Sequence, residues 1–227
     1  MPRYVLIMIV VGLFCLPLMA QAPSGHANDK WEVSIFVGSS NGGDDIYPTS
    51  VEGSGTRDVG LRFAPGYLVG GRITQNLGQY LGAELDYSLA NQPAEFSNLS
   101  PFIQTLSLDH RVHNVTYTVL FYGLKPNSRI RPYGFIGPGI SYYDTFGVEQ
   151  GPPVEITDRW KVAGIWGGGV KYWALDHVGF RFDVRDHITG VPDFGLPERG
   201  TVTTAAFDPE GMLHNWQFSV AFFYSFK

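Results

Sequence analysis

Hydrophobic residues occupy every second position in several stretches of this chain. In the stretch 216–226, aromatic and aliphatic residues alternate with Gln217, Ser219, Ala221 and Ser225. Because successive side chains of a β-strand point to opposite faces, such a stretch predicts a strand with one apolar and one polar face. Eight strands are predicted in this way, at residues 31–37, 67–73, 81–89, 115–121, 133–143, 160–172, 178–184 and 216–226.

The connections between these strands alternate in length. Short connections fall near residues 74–79, 125–130 and 174–177, and long ones near residues 40–56, 91–109, 146–157 and 187–213. An even number of strands joined by short turns and long loops in alternation is typical of a transmembrane barrel, in which the turns face the periplasm. The predicted fold class is therefore all-β, an eight-stranded antiparallel up-and-down transmembrane β-barrel with a polar, filled interior.

The predicted apolar faces suit contact with lipid. They carry no Asp, Glu, Lys or Arg in the six clearest strands, and a cation there would cost about 2–4 kcal/mol at mid-bilayer. Charged residues make up only 16% of the chain, against ~25% in soluble domains. Aromatic residues gather near the strand ends, which predicts girdles at the two lipid–water boundaries. One girdle would contain Trp31, Tyr80, Tyr133, Tyr172, Trp173, Tyr224 and Phe226, and the other Tyr87, Tyr142, Trp160 and Trp216.

The polar faces of the same strands carry charged residues of both signs. An eight-stranded barrel has an interior just wide enough for side chains to fill, and isolated charges there would be costly. We therefore expect a mixed-sign luminal network, either as a polar plug or as the lining of a narrow pore. Its members would be Arg72, Glu84, Asp86, Lys171, Arg181, Asp183 and Arg185.

The first twenty residues have the layout of a secretory signal peptide. Arg3 gives a positive start, an uncharged apolar run extends over 4–18, and small residues follow around Ala20. The predicted organisation is a signal peptide at 1–20, a short N-terminal extension at 21–30 and a barrel domain at 31–227. Cys15 is the single cysteine and lies in the leader, so neither a disulfide nor a thiol nucleophile is expected in the mature chain.

Three segments carry a family resemblance: residues 31–39, the run RPYGFIGPG at 131–139, and the closing strand 216–226. On these segments the chain resembles the small outer-membrane β-barrel family and is similar to the transmembrane domain of outer membrane protein A. The resemblance implies the outer membrane of a Gram-negative-type bacterium. It also implies outer-membrane lipid around the barrel and the barrel insertion machinery as a folding partner.

Members of this family include structural tethers, adhesins, small channels and lipid-modifying enzymes. We expect a structural or surface-interaction role carried by the extracellular loops, with a ligand that the sequence does not specify. The alternatives are a porin-like channel for small solutes or ions, and a lipid A-modifying hydrolase. The formal net charge of −5 argues against a nucleic-acid partner.

The sequence contains no clear catalytic or metal-binding motif. His187-Ile188-Thr189 is the nearest match to the His-x-Ser pair of lipid A deacylases, but Thr stands in place of Ser, so we do not expect an enzyme. His110 and His113 are three residues apart, which places them on opposite faces of a strand and argues against a shared metal. No catalytic, cofactor-binding or metal-ligating residue is predicted, and no cofactor.

Overall fold

The computed structural model describes residues 29–52, 55–98, 105–148, 159–191, 198–201, 206–208 and 211–227. The predicted signal peptide and nearly all of the predicted N-terminal extension lie outside these residues. Within the described residues, no helix is long and apolar enough to cross a membrane. These residues form twelve β-strands: β1 Trp31–Gly42, β2 Asp44–Val51, β3 Gly55–Phe63, β4 Gly66–Asn76, β5 Leu81–Asn91, β6 Ala94–Ser97, β7 Thr105–Tyr122, β8 Ile130–Val148, β9 Trp160–Trp173, β10 Val178–Gly190, β11 Arg199–Gly200 and β12 Met212–Phe226.

Eight of these strands close into an antiparallel barrel in the order β1, β4, β5, β7, β8, β9, β10, β12, and β12 pairs with β1 again. They contain the eight strands predicted from alternation, so the predicted fold class is confirmed. The short connections 77–80, 123–129 and 174–177 meet at one end of the barrel, which we call the turn end. The opposite end, which carries the long connections, is the loop end.

The register gives the barrel a large stagger. Following paired residues once around leads from Trp31 through Gln75, Ala83, Val119, Ile136, Trp166, Asp186 and Trp216 to Asn41 of β1. The stagger is therefore 41 − 31 = 10 residues. Closure with such a stagger requires strongly tilted strands, and eight of them enclose only enough space for side chains.

The long connections contain strands that the sequence analysis did not predict. β2 and β3 form a hairpin within the connection between β1 and β4, β3 pairs with β6, and β6 pairs with the first residues of β7. β11 adds a short parallel pairing to β2. The sequence analysis had treated these long connections as loops, and this prediction was wrong where they form strands. The barrel wall continues at the loop end as a sheet that we call the extension.

An apolar cluster fills the inside of the extension. This apolar cap consists of Tyr47, Val59, Leu61, Phe63, Phe96, Leu106 and Phe207. The ring of Phe207, in a short segment between β11 and β12, meets Tyr47 and Phe96 edge-on at centroid distances of 5.2 and 5.3 Å. Burial and the nearby Asp45 carboxylate raise the pKa of Tyr47 to about 12. The hydrogen bond between the Tyr47 side chain and the Asp45 carboxylate contributes to this rise.

The outside of the barrel is covered by exposed apolar side chains. Ile35 is 68% exposed, Phe182 54% and Ile136 59%, although a soluble protein would bury most such residues. Asp186 also faces outward, near the loop end, but it is only 1% exposed. Trp166 and His214 contact its carboxylate at 3.3 and 2.7 Å. We call this outer surface of exposed hydrophobic side chains the apolar belt. The rings of Trp166 and His214 cover the Asp186 carboxylate that lies within it.

Candidate functional site

Six charged side chains meet in the middle of the barrel and form what we call the central ion cluster. They are Arg72 on β4, Glu84 and Asp86 on β5, and Arg181, Asp183 and Arg185 on β10. Each is at most 3% exposed. β5 and β10 lie on opposite sides of the closed barrel, so their side chains approach one another across the lumen. Three cations face three anions, which leaves the cluster without net charge.

Arg72 holds two carboxylates from opposite walls of the barrel. Its Nε lies 2.5 Å from Oδ2 of Asp86, and its Nη1 lies 2.5 Å from Oδ2 of Asp183. Nη2 donates a third hydrogen bond to the hydroxyl of Ser219 on β12, at 3.1 Å. One guanidinium therefore joins three strands through the middle of the lumen.

Arg181 makes a second set of bonds across the lumen. It donates to both carboxylate oxygens of Glu84, with Nη2 at 3.1 Å from Oε1. Its Nε lies 3.0 Å from both carboxylate oxygens of Asp183. Arg185 donates from Nη1 to Asp86 at 3.1 Å. A buried charge is tolerated when it is paired and hydrogen-bonded. Each member of the central ion cluster has an oppositely charged partner, but within the described residues Nε and Nη2 of Arg185 and Oδ1 of Asp86 have no hydrogen-bond partner.

Each arginine of the cluster also stacks on an aromatic ring. On its other face, each ring packs against the glycine that is paired with the aromatic residue on the neighbouring strand. The three stacks are Gly70–Phe36–Arg72, Gly169–Tyr133–Arg181 and Gly167–Phe135–Arg185. The guanidinium carbons lie 3.9, 4.6 and 5.1 Å from the ring centroids. A Cβ atom on Gly70 would lie 2.3 Å from the Phe36 ring, so glycine provides the space in which the ring lies flat against the wall.

Lys171 belongs to a separate layer closer to the turn end. Its Nζ lies 2.5 Å from Oε2 of Glu32 and donates to the Tyr122 hydroxyl at 2.9 Å. Asn76 donates to Glu32 at 2.8 Å and accepts from Tyr122 at 2.9 Å. The guanidinium of Arg131 lies 3.5 Å from the centre of the Tyr122 ring. The seven charged residues predicted for the interior therefore all lie inside, but in two layers.

A cavity of about 530 Å³ opens at the turn end. Its lining includes Glu32, Arg131 and Trp173, but no member of the central ion cluster. The cavity therefore reaches the layer of Lys171 and does not extend through the cluster. Among the described residues, no group of three or more His, Cys, Asp or Glu is arranged to hold a metal ion.

No protein-family profile and no curated protein matches this chain. Solved structures match it in fold. The outer membrane protein OprG from Pseudomonas aeruginosa is 17% identical with a TM-score of 0.59, and the alignment covers 90% of this chain and 99% of OprG. The outer membrane protein AlkL is 15% identical with a TM-score of 0.59, covering 93% and 97% of the two chains. Neisserial surface protein A is 12% identical with a TM-score of 0.52, covering 86% and 97%.

The chain has the fold of the small outer-membrane β-barrels. At these identities the similarity concerns the fold alone.

The sequence analysis predicted two girdles of aromatic residues around the barrel. Most of these residues are exposed or half-exposed. Those at the turn end are Trp31, Tyr80, Tyr172, Tyr224 and Phe226, and those at the loop end are Tyr87, Tyr142, Trp160 and Trp216. The prediction was wrong for Tyr133 and Trp173, which point inward and are 5% and 2% exposed. Tyr133 shares the inward face of β8 with Arg131, lies over Gly169 and donates to Asp183.

The residues considered for lipid hydrolysis lie on the inner wall of the barrel. His187 and Thr189 are 2% and 5% exposed and follow Arg185 on the inward face of β10. The Thr189 hydroxyl lies 3.1 Å from the Tyr143 hydroxyl rather than beside the imidazole. Lipid outside the barrel therefore has no direct contact with either side chain.

Proposed function

We propose that this protein spans the outer membrane of a Gram-negative-type bacterium as a plugged barrel, with a structural or surface-interaction role carried by its loop end. The observation that carries the proposal is the central ion cluster, which fills the lumen with charges of balanced sign that are paired with one another. A conducting pore needs a continuous water path, and Arg72 and Arg181 cross the place where that path would run.

The apolar belt supports the placement in a membrane. A closed barrel exposes no unpaired strand edges, and its outward hydrophobic side chains are stable in hydrocarbon. Outer-membrane lipid would thus be the main partner of the barrel wall. The family resemblance implies the barrel insertion machinery as a second partner.

The extension supports the surface-interaction role. β2, β3 and β6 are paired into a sheet over the apolar cap, so the loop end is a packed structure in its described residues. A packed platform can present side chains to a partner without the entropic cost of ordering a loose loop.

We expect no steady single-channel openings from the purified protein in a planar bilayer. As a matched variant, Arg181→Ala combined with Glu84→Ala removes the Arg181–Glu84 pair across the lumen together with the contact between Arg181 and Asp183, and it keeps the net charge. We expect this variant to produce intermittent openings. Heat-modifiable gel mobility of both proteins serves as the control for folding. Steady openings of the unmodified protein would contradict the plugged barrel and favour the channel.

We propose no enzymatic activity, and mass spectra of lipid A test this. Cells that produce the protein, cells that produce His187→Ala and cells without either should show the same acylation, because the imidazole is turned away from the lipid. If lipid A loses an acyl chain in cells with the unmodified protein but not in cells with His187→Ala, the proposal is contradicted and the lipid A-modifying hydrolase is favoured.

A further inference from the structure

Arg131 is a buried cation that lines the turn-end cavity and has no carboxylate partner. It is 2% exposed on the inward face of β8. Its Nε and Nη2 donate to the backbone carbonyls of Leu124 and Gln79 at 3.1 and 2.8 Å, and its Nη1 forms no hydrogen bond with a described residue. Unlike the arginines of the central ion cluster, it forms no ion pair with a described carboxylate. A buried charge is stabilised by an opposite charge, and such a group can reach Arg131 through the cavity.

Two carboxylates also line the cavity, and both are engaged within the protein. The two oxygens of Glu32 are hydrogen-bonded, one of them by Lys171. Oδ2 of Asp29 accepts from the Ser225 hydroxyl at 2.6 Å and lies 2.7 Å from Nδ1 of His177, while Oδ1 is buried without a hydrogen-bond partner among the described residues. Asp29 precedes β1, which is four strands away from β8 in the ring of eight. Its charge therefore lies across the cavity from the guanidinium of β8.

Two exposed lysines add positive charge to the lining. Lys30 and Lys125 both belong to it, and neither forms an ion pair with a described residue. Together with Arg131 they make three cations against two carboxylates, of which one is paired with a lysine deeper in the barrel. The other charged residues of the three short connections, Arg129 and Asp176, lie outside the lining and have opposite signs. The cavity therefore has a net positive charge and favours an anion.

The rest of the lining indicates what else the anion carries. The side-chain amides of Gln79 and Asn127 line the cavity and form no hydrogen bond with a described residue. A primary amide both donates and accepts, which suits hydroxyl groups. Leu77 and Pro126 add apolar surface. The volume of about 530 Å³ lies in the range of small-molecule sites, roughly 300–1,000 Å³.

We propose that the turn-end cavity binds a small hydroxylated anion, a sugar phosphate or a sugar acid, with its anionic group on Arg131. Guanidinium groups bind phosphate and carboxylate through paired N–H donors, and the two lysines attract the anion towards the cavity. The ligand enters and leaves on the same side, because the central ion cluster closes the lumen beyond the cavity. That side is the periplasm, which rests on the membrane placement proposed above.

The test titrates glucose 6-phosphate, gluconate, glucose and inorganic phosphate into the protein folded in zwitterionic micelles, with the heat of binding as the readout. We expect saturable binding of at least one of the two hydroxylated anions, and whichever binds identifies the anionic group. Glucose should not bind saturably, because it has no charge for Arg131. Inorganic phosphate should bind about tenfold more weakly or worse, because it makes no hydroxyl contacts with the amides.

Arg131→Gln should weaken binding of the hydroxylated anion about tenfold or more, since hydrogen bonds to charged groups are the strong ones. The matched control is Arg129→Gln, which removes the same charge from a guanidinium that lies 5.3 Å from the centre of the Tyr172 ring and outside the cavity lining. This control should bind as the unmodified protein does. Lys30→Gln combined with Lys125→Gln leaves every contact of Arg131 in place and should weaken binding about threefold or more.

Several outcomes would overturn the site. These are unchanged affinity in a folded Arg131→Gln protein or in the double lysine variant, an equal loss in Arg129→Gln, and equal binding of glucose or of inorganic phosphate. Absence of saturable binding of both hydroxylated anions to the folded protein overturns it as well. Heat-modifiable mobility and insertion into vesicles are measured on the same samples. A protein that fails to insert would contradict the membrane placement itself, whereas an inserted protein without selective binding contradicts this inference alone.

Discussion

Replacing Arg72 by alanine should destabilise the barrel by about 3–5 kcal/mol, the cost of breaking a buried ion pair by removing one partner. Asp86 and Asp183 each lose a contact of 2.5 Å, and the central ion cluster is left with an excess negative charge in a buried interior. The measurement is the free energy of unfolding in urea, obtained from tryptophan fluorescence of the protein folded in micelles.

Arg62→Ala is the matched control for this variant. Arg62 lies 3.8 Å from Glu95, and both side chains are about half-exposed, so its loss should cost at most about 1 kcal/mol. Adding Asp183→Asn to Arg72→Ala should recover part of the stability, because it removes the unbalanced charge. Equal destabilisation by Arg72→Ala and Arg62→Ala would show that the central ion cluster does not behave as a buried, paired network.

Replacing Phe207 by alanine should loosen the extension and leave the barrel closed. The side chain is fully buried in the apolar cap against Tyr47 and Phe96, and removal of a buried phenylalanine ring costs about 3–5 kcal/mol. Limited proteolysis of the folded protein should therefore cut the extension much faster in the variant. The heat-modifiable mobility of the barrel should be unchanged.

Ile46→Ala is the control for the cap. Ile46 lies in the same hairpin as Tyr47 but is 70% exposed, so its truncation should change stability by no more than about 0.5 kcal/mol. If Phe207→Ala resists protease as well as Ile46→Ala does, the extension does not depend on the apolar cap for its order.

Alternation was sufficient to predict the barrel strands because each is long and has one apolar face. The extension was missed because its strands are shorter and their pattern is interrupted, as by Pro48 in β2 and by the Asn41-Gly42-Gly43 run before it. A signal was present in Val59, Leu61 and Phe63, which alternate and are all buried. Leu61 and Phe63 pair with Phe96 and Ala94 of β6, more than thirty residues away in the chain, and no local pattern specifies such a pairing.

The sequence was sufficient to predict which charged residues point into the lumen, but not which of them pair with one another. Strand parity places Arg72, Asp86 and Asp183 on inward faces, which the sequence analysis recognised. Which cation meets which anion depends on the stagger of the barrel, and the sequence pattern does not contain that quantity. The same limit explains Tyr133: only its pairing with Gly169 makes room for the ring on the inside.

The ion pairs across the lumen join residues that are far apart in the sequence. Arg72 and Asp183 are separated by 111 residues, and Glu84 and Arg181 by 97. Contacts of such long sequence separation form late, since the loop between them must be closed first. A half-assembled barrel without β10 would keep Arg72 and Glu84 hydrated, so the expulsion of water from the lumen should coincide with the arrival of the last strands and commit the molecule to its closed form.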